Sequence, residues 1–269
     1  MRTGAAVPPS GRHAAYVREV AERRAAAQAA LRTGTSILAA VARHQLPVGT
    51  RLRFGPSPDS DVRLAGMPCS IEIHATSDGF RVDGQPSGPR TIAAGRYGLR
   101  LSHQHAPAVV VLDAQSSRLR EEVELRWYAV DPALRLRTRL LPDGAAAVVA
   151  STGSAARPAE RVGWLPLVVS GVAVRLAALR LLEPGVAPDH LDVYFRDATT
   201  GSGSYELGRY VTVEREGDAL IVDFNLAYNP WCALSSFYNC PIPPRENHLT
   251  VAIRAGEMTP LVRSAAARG

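Results

Sequence analysis

Residues Asp223–Glu257 read DFNLAYNPWCALSSFYNCPIPPRENHLTVAIRAGE. Prolines at 230, 241, 243 and 244, cysteines at 232 and 240, and Asn-rich turns are packed between two short apolar alternations. In Leu220–Asn225 a period of two sets Leu220, Val222 and Phe224 on one face, with Ile221, Asp223 and Asn225 on the other. In His248–Arg254 the same period groups Leu249, Val251 and Ile253 against His248, Thr250 and Arg254. Both segments therefore predict strands with one face in a core, and the chain around them predicts a mainly β protein.

Upstream, the same texture extends to residue 134. Strands are expected at Leu134–Leu141, Ala147–Ser151, Val162–Ser170, Val172–Leu182, Leu191–Phe195, Arg209–Glu214, Leu220–Phe224 and Leu249–Ile253. Together they predict a larger antiparallel barrel or sandwich over residues 119–269. A charged, Ser-rich stretch near 114–125 separates it from a second set of alternations at Arg51–Phe54, Val62–Leu64, Ser70–Ala75, Phe80–Val82, Tyr97–Ser102 and Ala108–Leu112. Turn residues such as Ser-Asp-Gly and Asp-Gly lie between them, which predicts a small β-sandwich over residues 34–118. Ahead of this, residues 1–33 read as a polar leader of about a dozen residues and an Ala-rich helix from His13 to Arg32. Tyr16, Val20 and Ala27 form its apolar stripe, and Gly34 ends it.

Composition bounds the function. With 269 residues, 46% of them hydrophobic and 21% charged, the chain can bury a full core. The +6 balance of 31 Lys+Arg over 25 Asp+Glu is scattered, with no basic block and no aromatic-interleaved basic strand, so nucleic acid is not expected as a partner. Apolar runs such as WLPLVVSGVAV are broken by Pro and Gly and fall short of a bilayer span. No basic-then-apolar signal region opens the chain, so a cytoplasmic protein with reduced thiols is expected.

Three long motifs resemble a bacterial family catalogued as domain of unknown function 1684. They are WYAVDPALRLRTRL (127–140), with Tyr128, Asp131 and Arg135; FRDATTGSGSYELGRYV (195–211), with Asp197, Thr199, Tyr205, Gly208 and Arg209; and the 223–257 stretch itself. One departure is Leu207, where the family usually has Gly. The resemblance brings no settled activity with it. Residues 34–113 resemble, more distantly, a forkhead-associated domain through FGPSPDSDVRL and SIEIHA, with His74 at that family's buried-His position. Pro56 follows Gly55 and no Arg lies between Ser70 and His74, so the phosphate-gripping residues of that fold are missing and a scaffold is expected.

The polar faces of the last two expected strands could line one pocket with Tyr205, Arg209 and Glu257. Such a set holds an acid/base, a cation and amide donors, which is what proton-transfer chemistry on a small molecule needs. The expected catalytic residues are Glu257, Asp223, Arg209 and Tyr205. Asp197, Asn225, Tyr228, Asn229, Trp231, Asn247 and His248 are the expected ligand-binding residues. The competing reading gives the Asp and Asn side chains to turn backbone, and pairs Arg209 with Asp197 or Glu257.

Cys232, Cys240 and His248 are spaced by eight, without the tight Cys pair of structural zinc sites. No metal is therefore expected, and packed thiols, a short-loop disulfide and a nucleophilic Cys with His248 as base remain alternatives. His103 and His105 alternate on a strand without companions and read as surface residues. Dinucleotide, Walker, GxSxG and HExxH motifs do not occur, so no cofactor is expected. The resulting expectation is a redox-cofactor-independent lyase, cyclase, isomerase or hydrolase of specialised metabolism acting on a small organic molecule, with a homodimer possible. The alternatives are a non-catalytic ligand-binding module and a structural one.

Overall fold

The computed structural model describes residues 11–263 other than 105, 154 and 155, so the expected leader over residues 1–10 and His105 lie outside the described residues. A helix α1 (Gly11–Ala30) leads into β1 (Ala40–Gln45), β2 (Arg51–Gly55), β3 (Val62–Arg63), β4 (Ile71–Thr76), β5 (Gly79–Val82), β6 (Gln85–Ser87), β7 (Thr91–Ala94), β8 (Tyr97–Ser102) and β9 (Ala108–Asp113). There follow β10 (Glu122–Glu124), β11 (Arg135–Thr138), β12 (Leu141–Val149), β13 (Arg157–Val169), β14 (Val172–Leu181) and β15 (Asp192–Phe195). The remaining strands are β16 (Arg209–Thr212), β17 (Glu214–Glu216), β18 (Ala219–Asp223) and β19 (Leu261–Arg263).

Sheets of order β3-β2-β4-β5-β6 and β1-β9-β8-β7 enclose a core containing Phe54, Ile73, Leu99, Val109 and Val111. Hairpins are set by left-handed two-residue turns, Asp83-Gly84 (φ 47° and 81°) between β5 and β6, and Ser170-Gly171 (φ 51° and 80°) between β13 and β14. Such turns match the twist of the strands they join. In β4 the inner positions are Ile71, Ile73 and Ala75, which leaves His74 half-buried on the opposite face and not in the expected core position. His103 also departs from its expected surface setting: its ring packs edge-on against Phe80 at 5.3 Å.

The two β regions are not separated by solvent at residues 114–125. Strand β9, AVVVL followed by Asp113, is buried on both faces: Val109 and Val111 point into the sandwich, while Val110 and Leu112 pack with Ala177, Leu179, Tyr194 and Tyr210. In the sheet β12-β13-β14-β15-β16, the Leu176–Leu179 part of β14 together with β15 is likewise buried on both sides, while β12 and β13 keep an exposed face at Val148 and Val168. Leu176, Ala178, Val193, Phe195 and Val211 face Leu220, Val222 and Phe224 of the three-stranded sheet β11-β18-β17. The result is a stack of sheets whose strands alternate between two cores. Among the described residues no sheet closes, so of the expected barrel or sandwich the larger region takes the open, layered form.

One expected strand is missing. Leu249–Ile253 makes no ladder; only an isolated bridge from His248 to Arg196 marks its start. Beyond it, Leu249 N–H donates to Arg196 C=O at 2.8 Å and Val251 C=O accepts Ala198 N–H at 3.0 Å, and side chains take up the backbone groups of Ile253.

Candidate functional site

Asp197 and Arg209 form a fully buried ion pair at 3.2 Å. The Arg209 guanidinium donates to the carbonyls of Ile253 (2.8 Å), Ala255 and Glu257 (3.2 Å), while Asp197 accepts the Ile253 N–H at 2.6 Å and the Thr199 hydroxyl at 2.9 Å. These two side chains do for residues 253–257 what a neighbouring strand would do. Asn247 plays the same part elsewhere: its amide exchanges bonds with Ala177 N–H (2.7 Å) and C=O (3.0 Å) and donates to Tyr194 C=O (2.9 Å). It fills the gap where β14 and β15 pair only through Leu179 and Asp192. Asn225 pairs with the backbone of Asp131 in both directions at 2.8 Å, and His248 contacts the Pro243 carbonyl at 3.1 Å.

Asp223 accepts the Tyr16 hydroxyl from α1 at 2.8 Å and caps the turn at Asn225. It lines a hollow of about 590 Å³ at the beginning of α1. Tyr205 lies against Cys232, and burial with that neighbour pushes its hydroxyl up to about 12. The expected convergence of Arg209, Asp223, Tyr205 and Glu257 on one hollow is therefore not found.

Four of the expected residues do meet. Tyr228, Asn229, Trp231 and Glu257 line a cleft of about 390 Å³ beneath the second half of α1. A volume of this size falls at the small end of the range that holds metabolite-sized ligands. Two local devices set its polar wall. Gly256 takes φ 73°, and a Cβ there would come within 2.6 Å of the carbonyl oxygens of Ala227 and Phe224. That tight turn delivers Glu257 alongside the 227–229 backbone, where Glu257 N–H bonds Ala227 C=O and Glu257 Oε2 accepts Asn229 N–H, both at 2.8 Å.

Burial raises the Glu257 carboxyl to about 7, against the opposing pull of the Asn229 N–H and of Arg209 and Arg24. Asn229 is 8% exposed; its Nδ2 donates to Met258 C=O at 2.8 Å, which fixes the amide orientation, and its Oδ1 has no partner among the described residues. Nor does any described residue donate to Glu257 Oε1, which leaves that oxygen for a ligand.

The rest of the wall comes from elsewhere in the chain. Ala27 and Ala30 come from α1 and Leu31 from the turn that follows it, Arg100 comes from β8, and Leu125 and Leu234 supply apolar surface. Arg100 lies over the Trp231 ring at 5.3 Å and donates to Tyr238 Oη at 2.6 Å. Sequence reading missed these residues. The one available signal was the apolar stripe of α1, which required a partner without naming it. That helix is held by Tyr16 on Asp223, Arg24 on the carbonyls of Tyr128 and Asn225, Gln28 on Val123 and Leu125, and Arg32 on Leu119. Within the helix, spacings of four and eight bring Tyr16, Arg24 and Gln28 to the side that also buries Val20, and Arg32 follows just past its end.

Among the described residues no three His, Cys, Asp or Glu side chains gather as a metal site, and no helix is long and apolar enough to cross a membrane. No curated protein matches the chain. A solution NMR structure of an uncharacterized protein of Haloarcula marismortui is 34% identical, over 50% of this chain and 76% of that one, with a TM-score of 0.42. A family model described as a protein of unknown function (DUF1684) matches residues 123–258, which include all three motifs and the Glu257 wall of the cleft. The chain belongs to that family.

Proposed function

We propose that the cleft beneath α1 binds a small organic molecule and that Glu257 exchanges a proton with it, as a redox-cofactor-independent enzyme of specialised metabolism. The observation that carries this reading is a carboxyl raised to about 7 on the wall of a mostly apolar cleft, with one oxygen held by Asn229 N–H and the other unclaimed. Near neutral pH such a group is divided between acid and base, so it can take a proton from one atom of a ligand and return it to another. That suits isomerase, lyase or hydrolase chemistry. Arg209 and Asp223 are not part of the reacting set: the first holds backbone and the second holds α1. Trp231 and Tyr228 provide aromatic walls, and a cytoplasmic setting remains the expectation from the sequence.

A non-catalytic binding role in the same cleft is favoured by one further observation: most polar residues of the family motifs are taken up by backbone contacts. A metabolite screen by ligand-observed NMR separates these readings. Ala30→Trp serves as the filled-cleft control and Glu257→Gln as the acid/base variant. A ligand that binds wild type and is lost on Ala30→Trp establishes the site. Turnover that falls on the order of a hundredfold or more in Glu257→Gln makes it catalytic. Binding without turnover leaves the module, and ligands indifferent to Ala30→Trp rule the cleft out.

A further inference from the structure

Behind the Trp231 wall lies a pair of thiols that the proposed chemistry does not use. Cys232 sits in the single helical turn Trp231–Ala233 and is partly exposed, whereas Cys240 is 4% exposed in the core beneath it. The backbone N–H of Cys232 donates to Cys240 Sγ at 3.3 Å, which sets that sulfur against the Cys232 turn. Cys240 is fixed on its other side, with its N–H donating to Thr152 Oγ1 at 3.0 Å and its C=O accepting Thr152 N–H at 2.9 Å.

We propose that Cys232 and Cys240 are a peroxide-sensitive modification site, in which Cys232 is oxidised and Cys240 resolves it as an intramolecular disulfide. Geometry assigns the order. The partly exposed cysteine is the one an oxidant can reach, and the buried sulfur already lies 3.3 Å from its backbone nitrogen. The electrostatics agree: hydrogen bonds donated by Cys240 and Tyr205 draw the Cys232 thiol below its ordinary value, while giving up that bond and burial push Cys240 far above its own.

In the first step the Cys232 thiolate attacks one oxygen of hydrogen peroxide. The O–O bond breaks, a sulfenic acid forms, and hydroxide leaves to take up the displaced thiol proton as water. In the second step Cys240 sulfur attacks Cys232 sulfur, the S–O bond breaks, and the departing hydroxide accepts the Cys240 proton as a second water. Two thiols lose two electrons in all, and one peroxide becomes two waters. Closure of the roughly 2.05 Å S–S bond starts from a Cys240 sulfur held 3.3 Å from the Cys232 backbone nitrogen.

The test treats the reduced full-length protein with equimolar hydrogen peroxide and maps unreduced peptides by mass spectrometry. Exposed Cys69 serves as the internal comparison. A Cys232–Cys240 cross-linked peptide, lighter by two hydrogens and restored by dithiothreitol, supports the site. In Cys240→Ser the expected product is a dimedone adduct at Cys232. Oxidation of Cys69 while Cys232 and Cys240 stay reduced overturns the proposal. A dimedone adduct on Cys240 in Cys232→Ser, without one on Cys232 in Cys240→Ser, overturns the assigned order.

Discussion

Arg209 and Glu257 do different work, though both carry charge within one motif set. The buried guanidinium is saturated by carbonyls and Asp197. The carboxyl two residues beyond Ala255 keeps one oxygen free. Charge alone, which a sequence shows, does not separate these roles; the distance to backbone acceptors does. Glu257 also makes a prediction whose sign is fixed by linkage. Its folded value of about 7 exceeds the ordinary 4.5, so the folded state holds this proton more tightly than the unfolded state. Its contribution is therefore fully present below about 4.5 and is lost as pH rises through about 7. Glu257→Gln, which cannot ionise, is expected to match wild type near pH 4.5 and to exceed it at pH 8 by about 1–2 kcal/mol, after allowing for partial exposure. Urea denaturation at both pH values checks this, and equal differences at both would show that burial does not perturb the carboxyl.

At the scale of elements, two strand positions are occupied by side chains. Asn247 replaces a stretch of ladder between β14 and β15, and the Asp197–Arg209 pair replaces a partner for 253–257. Leu249–Ile253 alternates like a strand because its apolar residues do pack beside the core: Leu249 and Val251 lie against the cluster that includes Ile253. Alternation reports which side chains are buried and is silent about who pairs with the backbone. Asn247→Leu keeps the volume and strands an N–H and two carbonyls, so it is expected to cost about 2–4 kcal/mol. The neighbouring exposed substitution Glu246→Gln should cost under about 0.5 kcal/mol. Chemical denaturation of both variants is the measurement, and parity between them would remove the strand-substitute role. Helix α1 shows a related effect. Its Arg24 and Gln28, with Arg32 just past its end, look solvent-facing by composition, yet they lie on the docking side because carbonyls at Tyr128, Val123 and Leu119 await them.

For the whole molecule, the decisive feature is that β9, β15 and the Leu176–Leu179 part of β14 are each buried on two faces. Val110 and Leu112 join the two β regions through one continuous core, which a chain divided at residues 114–125 would not have. Cooperative unfolding is the expected consequence. Scanning calorimetry should show a single transition over the whole chain, with calorimetric and van't Hoff enthalpies in a ratio of about one. Two resolved transitions would mean that the shared layer does not couple the regions.

Much of the β character was legible in the residues. Twofold alternation placed β2, β4, β8, β9, β14 and β18 close to their observed bounds, and Asp-Gly marked a hairpin, because side-chain facing and turn conformation are local properties. The family motifs, too, are properties of sequence alone. Of the candidate site, Glu257, Asn229, Tyr228 and Trp231 were within reach because they sit together in one segment. The Ala27–Leu31 wall, Arg100, the diversion of Arg209 and Asn247 into backbone pairing, and the choice of a layered stack over a barrel came only with the tertiary structure. Those outcomes turn on which distant carbonyls, amides and apolar faces arrive at the same place, and a chain read one neighbour at a time carries no measure of that.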